Sequence, residues 1–235
     1  MRYRMVGEGE PVVLVHGLSG STRWWTRNIA ALARGYRVYL VDLPGFGGMR
    51  HLRHHFVLAE AASWLAAWME AVGLEKAHLG GHSMGGYVCL RLAAQRPEVV
   101  RRLVLVAPAG VPARRPLFGH LVPLLLAARH ATPSFLPVLA YDAVRTGPVT
   151  LWRAARALLA EDVREDLRSI EAPTLLIWGE KDALIPPSVG DLLQREIANS
   201  HLLILQNAGH VPMFDRPQEF DAALLAFLAG SSVGE

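Results

Sequence analysis

The sequence predicts an α/β fold: a mostly parallel, twisted sheet with helices on both faces and a small helical insert. Three observations predict it. Short apolar, β-branched runs recur along the chain, and most are continuous rather than alternating, as in strands covered on both faces. Stretches of helical length lie between them, so strand and helix alternate and right-handed crossovers follow. One segment, 111–168, contains no strand-like run at all.

Residues 11–16 (PVVLVH) read as the first strand, ending at Gly17. Little room is left before Pro11 for any earlier strand. Residues 36–41 (YRVYLV) form the next and close on Asp42-Leu43-Pro44-Gly45. Residues 76–80 lead into Gly80-Gly81-His82-Ser83-Met84-Gly85-Gly86. Residues 100–107 (VRRLVLVA), 174–178 (TLLIW) and 201–205 (HLLIL) complete the set. Helical patterns fill the gaps at 57–72, at 84–95 (ending before Pro97), at 188–197 and at 218–228. Between 111 and 168 the chain reads as helices cut by Pro112, Pro116, Pro123, Pro133, Pro137 and Pro148. An unstructured loop of that length is rare in a compact domain, so this segment reads as a helical insert outside the sheet. Residues 1–110 and 169–235 then make one core.

The 235 residues are 51% apolar and 19% charged, enough apolar surface for a sizeable core and too much for a disordered or fibrous chain. A net charge of +3 is too small to argue for nucleic acid. Cys89 is the sole cysteine, so no disulfide can form within the chain, which fits a reducing compartment. Residues 1–11 (MRYRMVGEGEP) lack the apolar stretch of a secretory signal. The greasiest run, 117–128, is interrupted by His120 and Pro123 and is too short to span a bilayer. The expectation is a cytoplasmic protein without a membrane span.

Gly81-His82-Ser83-Met84-Gly85 is the chemical centre. A Gly-x-Ser-x-Gly match alone is weak, since chance supplies one in about twelve chains of this length. Its context adds the weight: a strand runs directly into Ser83 and a helix directly out. Such a turn strains the serine backbone and lifts its hydroxyl to the end of the sheet. Side chains two positions either side would collide, hence Gly81 and Gly85. The helix from Met84 points its positive end at the site.

A serine nucleophile needs a base, and the base needs an orienting acid. His210 follows the last strand, within Asn207-Ala208-Gly209-His210-Val211-Pro212. Asp182 follows the strand before it, within Gly179-Glu180-Lys181-Asp182, with Glu180 or Asp215 as substitutes. The order Ser, Asp, His suits this type of sheet enzyme. The oxyanion that forms on attack needs donors: the Met84 amide beside the serine, and the Leu18 amide after the first strand.

These segments together resemble the α/β-hydrolase family. VLVHG (13–17), VDLPGFG (41–47), GHSMGG (81–86), LIWGEKD (176–182) and NAGHVPMFDRP (207–217) occur in the family's order across nearly the whole chain. The resemblance implies that Ser83 attacks, His210 supplies the base and Asp182 orients it. Residues 111–168 fall where the family inserts its cap. Serine at position 83 argues against epoxide hydrolases and haloalkane dehalogenases, which carry aspartate there. Carbon–carbon bond hydrolases often show Ser-Gly-Pro-Gly after His-Gly, where this chain has Leu18-Ser19-Gly20-Ser21; they stay in view, as do lactonases and thioesterases. The expected reaction is hydrolysis of a carboxylic ester on a small molecule, with no metal or organic cofactor. A small-molecule receptor with slow turnover is the alternative from another class.

Other residues carry plainer expectations. His82 reads as a packed neighbour, His16 as a brace for the oxyanion loop, Asp42 as structural and Cys89 as an inert buried thiol. Trp24, Trp25 and Val211 are candidates to wall the substrate pocket, though the tryptophans equally suit packing of their loop onto the core. His51, His54 and His55 read as a solvated loop ahead of a metal site. From 114 to 156 the insert carries Arg114, Arg115, Arg129, Arg145, Arg153 and Arg156 against Asp142 alone. A solvated face explains this, and attraction to an acidic substrate or an acyl-carrier protein is the sharper reading.

Overall fold

Seven strands form a single sheet, in the order β1-β3-β2-β4-β5-β6-β7. The computed structural model describes residues 1–112 and 129–231, without the side chains of residues 53–55. The strands are β1 (Arg2–Val6), β2 (Glu10–Val15), β3 (Tyr36–Asp42), β4 (Ala77–His82), β5 (Val100–Val106), β6 (Thr174–Gly179) and β7 (Ser200–Leu205). All neighbours pair in parallel except β1, which pairs antiparallel with β3 from Arg2↔Asp42 to Val6↔Val38.

β1 corrects the expectation that the residues before Pro11 leave no room for a strand. Five residues suffice, turned back by the left-handed glycines Gly7 (φ 81) and Gly9 (φ 107). The strand sits at the sheet edge with four of its five residues exposed, which is why its sequence RYRMV carries charge instead of a continuous apolar run.

Residues alternate between the two faces of the sheet, the period-two rule of a strand. Val13, Val15, Leu79, Leu105 and Trp178 join one core with helices α2 (Ala61–Ala71), α3 (Met84–Gln95) and, later in the chain, the one at Pro187–Glu196. Val12, Leu14, Val104 and Ile177 face the other core, with the short α1 (Ile29–Leu32) and the carboxy-terminal Pro217–Leu228 helix. Both faces are covered, so β4 and β6 are buried from end to end.

Between β5 and β6 the chain leaves the sheet. Its described part holds α4 (Leu136–Thr146) and α5 (Pro148–Ala160), separated by Gly147 at φ 85. The apolar stretch 117–128 and the arginines Arg114 and Arg115 lie outside the described residues. α4 is tied to the core by Asp142, which is 1% exposed and accepts from the Ser21 hydroxyl at 2.7 Å and from Arg23 at 3.2 Å. α5 is tied through Glu161, which accepts from the Tyr87 hydroxyl at 2.7 Å. The chain returns through α6 (Pro187–Glu196) and ends in α7 (Pro212–Asp215) and α8 (Pro217–Leu228). Among the described residues no helix is long and apolar enough to cross a membrane.

Candidate active site

Ser83 stands between β4 and α3 with φ 51 and ψ −114, a region that L-residues other than glycine avoid. The fold imposes it by pinning both ends of the residue. Its N–H donates to the Val106 carbonyl at 2.9 Å, and its carbonyl accepts from Tyr87 at 3.0 Å and Ala109 at 3.1 Å. The tightness of the turn explains its glycines. A Cβ on Gly81 would strike the Gly85 carbonyl, and one on Gly85 would strike the Val15 and His16 carbonyls. Ser83 is 7% exposed, and among the described residues nothing hydrogen-bonds its hydroxyl. Catalytic hydrogen bonds are often open before substrate arrives.

His210 lies on the loop after β7. Its Nδ1 is 2.7 Å from Asp182 Oδ2, and Asp182 is fully enclosed. The aspartate's other oxygen accepts from the Leu184 N–H at 2.9 Å and the Ile185 N–H at 3.0 Å. This loop is held in turn by Trp178, whose indole donates to the Ile185 carbonyl at 2.9 Å. With both oxygens committed, the carboxylate cannot rotate away, and it fixes the proton on His210 Nδ1, leaving Nε2 as the acceptor.

The two other acids near this loop do other work. Glu180 accepts from the Asn207 N–H at 3.0 Å. Asp215 accepts from the Gly209 N–H at 2.9 Å and, with its second oxygen, from Thr132. Both brace the histidine loop and neither touches the imidazole.

The Leu18 amide follows β2 and the Met84 amide opens α3. Among the described residues neither N–H has an acceptor, so both are available to a ligand oxygen. The turn that carries Leu18 is held from below by His16, whose Nδ1 donates to the Gly17 carbonyl at 2.8 Å while Nε2 accepts from the Leu43 N–H at 3.1 Å. Burial pushes the His16 imidazole below its usual range, which keeps it neutral, and the two hydrogen bonds select the tautomer. Asp42 holds the next stretch, accepting from the Thr22 N–H at 2.9 Å and the Gly48 N–H at 2.8 Å.

Trp24 and Trp25 are 4% and 1% exposed. Trp25 packs against Phe220 on α8, in the core beneath its loop. Trp24 packs on Phe135 and on the His82 ring. Val211, beside His210, is 6% exposed and belongs to the same core cluster. Cys89 is fully buried, which pushes its thiol up. The side chains of His54 and His55 lie outside the described residues, and among those described no group of three potential metal ligands gathers.

Sequence reasoning underrated His82. It is buried, its Nε2 lies 2.7 Å from the His210 carbonyl oxygen, and its ring packs at a tilt with its centroid 4.8 Å from that of His210. Asp142, read only as a lone acid among arginines, is the buried tie between α4 and the loop after β2. The available signal was its isolation: one carboxylate in an arginine-rich segment needs a partner if it is buried.

An elbow serine at the end of a mostly parallel sheet, with an aspartate after β6 paired to a histidine after β7, defines a class of hydrolase scaffold. A family model of the alpha/beta hydrolase family matches residues 12–223, and the chain belongs to that family. The chain is 33% identical, over 96% of its length, to the dihydrolipoyllysine-residue acetyltransferase component of an acetoin cleaving system from Pseudomonas putida, and spans 65% of that protein. It is 31% identical to a 2-hydroxy-6-oxo-6-phenylhexa-2,4-dienoate hydrolase from Comamonas testosteroni, covering 97% of this chain and 91% of the relative. It is 30% identical to a pimeloyl-[acyl-carrier protein] methyl ester esterase from Aeromonas hydrophila, covering 91% of this chain and 93% of the relative.

Proposed function

We propose that the chain is a serine hydrolase of carboxylic esters, working through an acyl-Ser83 intermediate. The observation that carries the reading is the 2.7 Å Asp182–His210 pair, with His210 tied to the elbow at Ser83 through its contact with the neighbouring His82. His210 Nε2 takes the Ser83 proton as Oγ attacks the acyl carbon. The Leu18 and Met84 N–H groups hold the oxyanion, and the imidazolium, stabilised by Asp182, protonates the leaving alcohol. Water then enters, gives its proton to His210 and releases the acid from Ser83. Residues 111–168 serve as the cap over the acyl group, with residues 1–110 and 169–235 as the catalytic core. The esterase relative supports an ester substrate. Its acyl-carrier-protein substrate, together with the exposed Arg153 and Arg156 on α5, supports an acidic partner or substrate at the cap.

The Comamonas relative favours a second reading, carbon–carbon cleavage on the same three residues. A panel of aryl esters from acetyl to long acyl, with lactones, thioesters and a vinylogous diketone, separates the two. A fluorophosphonate should label Ser83 and leave Ser83→Ala unmarked, and Ser83→Ala should lose at least about 10³-fold in kcat. Wild-type hydrolysis by Ser83→Ala refutes the reading. A single burst of product from an ester followed by a stall, with no sustained turnover on any substrate, identifies a receptor instead.

A further inference from the structure

His82 precedes the elbow serine, and its ring is turned to the loop that carries His210. Its Nε2 is 2.7 Å from the His210 carbonyl oxygen. A carbonyl only accepts, so Nε2 bears the proton and Nδ1 holds a bare lone pair. That lone pair is buried and has no partner among the described residues. Gly17 closes its side, since a Cβ there would come within 2.6 Å of Nδ1, and the Trp24 ring lies 5.5 Å from the His82 ring. An unpaired buried acceptor costs about 1–3 kcal/mol. An apolar side chain of similar volume would fill the space without that cost. What histidine adds here is the donor at Nε2, and that donor grips His210.

We infer that His82 is a positioning residue for the hydrolytic reaction, clamping the main chain of His210 so that its imidazole meets Ser83. The inference rests on the catalytic reading of Ser83, His210 and Asp182 given above. Asp182 holds one ring atom of His210 and leaves the ring free to pivot about that bond. The His82 clamp fixes the other end of the lever, the backbone from which the ring projects, and its 4.8 Å ring packing limits the pivot. The titratable groups acting on His82 are His210 and His16. Burial, then the charge on His210, hold the His82 imidazole well below its usual range. It therefore stays neutral when His210 takes the serine proton.

The test uses the full chain with an aryl ester, reading kcat and KM separately, with thermal melting alongside. His82→Met fills the space without a donor and should lower kcat about 10- to 100-fold while KM stays within about twofold. His82→Gln, whose amide nitrogen reaches where Nε2 stands, should recover most of that loss. If His82→Met does not fold, His82→Asn replaces it, because its amide stops short of the carbonyl. Wild-type kcat in the donor-less variant overturns the inference. So does an equal loss in Gln and Met that follows the melting temperature, since packing alone would then explain it. Ser83→Ala separates the two levels. Full activity there defeats the catalytic reading itself, whereas an inactive Ser83→Ala beside a fully active His82→Met defeats only the role of His82.

Discussion

Replacing Asp182 by asparagine removes the orientation of His210 without removing the base. Asp182 serves three donors: Leu184 N–H at 2.9 Å and Ile185 N–H at 3.0 Å on one oxygen, His210 Nδ1 at 2.7 Å on the other. Asparagine brings one oxygen to the same three. With that oxygen on the two main-chain donors, its NH2 faces Nδ1 and drives the imidazole proton to Nε2, where it blocks transfer from Ser83. With the amide flipped, two partly buried N–H groups face an NH2. Leaving each unpaired costs about 1–3 kcal/mol, so the competent arrangement is disfavoured by about 3 kcal/mol, or about 10²-fold. Losing the carboxylate charge beside the developing imidazolium adds about 2–3 kcal/mol. Together kcat should fall about 10³- to 10⁴-fold, matching the order known for this exchange in serine-protease triads. Saturation kinetics on an aryl acetate measure it, with KM nearly unchanged and the melting curve confirming the fold. A kcat within tenfold of wild type refutes the argument.

Asp215→Asn, in contrast, alters a carboxylate that touches Gly209 and Thr132 but not the imidazole, so kcat should fall less than about tenfold while the melting temperature drops. Gly85→Ala drives a methyl into the Val15 and His16 carbonyls, which cannot yield without moving β2; urea unfolding should show a loss of more than about 2 kcal/mol. Burial raises Asp221 to about 6, against the donor Asn28 at 2.7 Å. The folded state therefore holds this proton more tightly than the unfolded chain does, and the stability linked to it falls as pH rises from about 4 through 6. Asp221→Asn should flatten that slope and raise stability at pH 8, where its NH2 can also serve the unpartnered Asn28 Oδ1; a melting series that keeps the wild-type slope counts against it. Cys89, fully buried, should resist a thiol reagent in the native protein and react at once in denaturant.

The strands with buried faces were legible because burial leaves a continuous apolar run; β2, β3, β5 and β6 each carry one, whereas β4 (AHLGGH) was legible only through the motif it runs into. β1 was not, because an edge strand with one partner and mostly exposed side chains looks like any short charged segment. Ser83 and its glycines were legible as a motif because steric exclusion at the turn dictates residue type at fixed spacing. Asp182 was already preferred to Glu180 and Asp215 from its place after β6; what needed three dimensions was the direction of each carboxylate, since all three acids hang near one loop and only Asp182 meets the imidazole. His82 and Asp142 escaped for a related reason. Their partners lie 128 residues away for His82 and 121 and 119 for Asp142, and nothing local marks a side chain whose value lies in distant hydrogen bonds.

The buried Asp142 bears on engineering. Helices inserted between β5 and β6 invite exchange, since a designer could graft another protein's segment there to change the substrate. In this chain the graft would arrive without the carboxylate, stranding the Ser21 hydroxyl and the Arg23 guanidinium three and five residues beyond Leu18. A successful chimera would have to carry an acid at the equivalent position or recode Ser21 and Arg23 together with the insert.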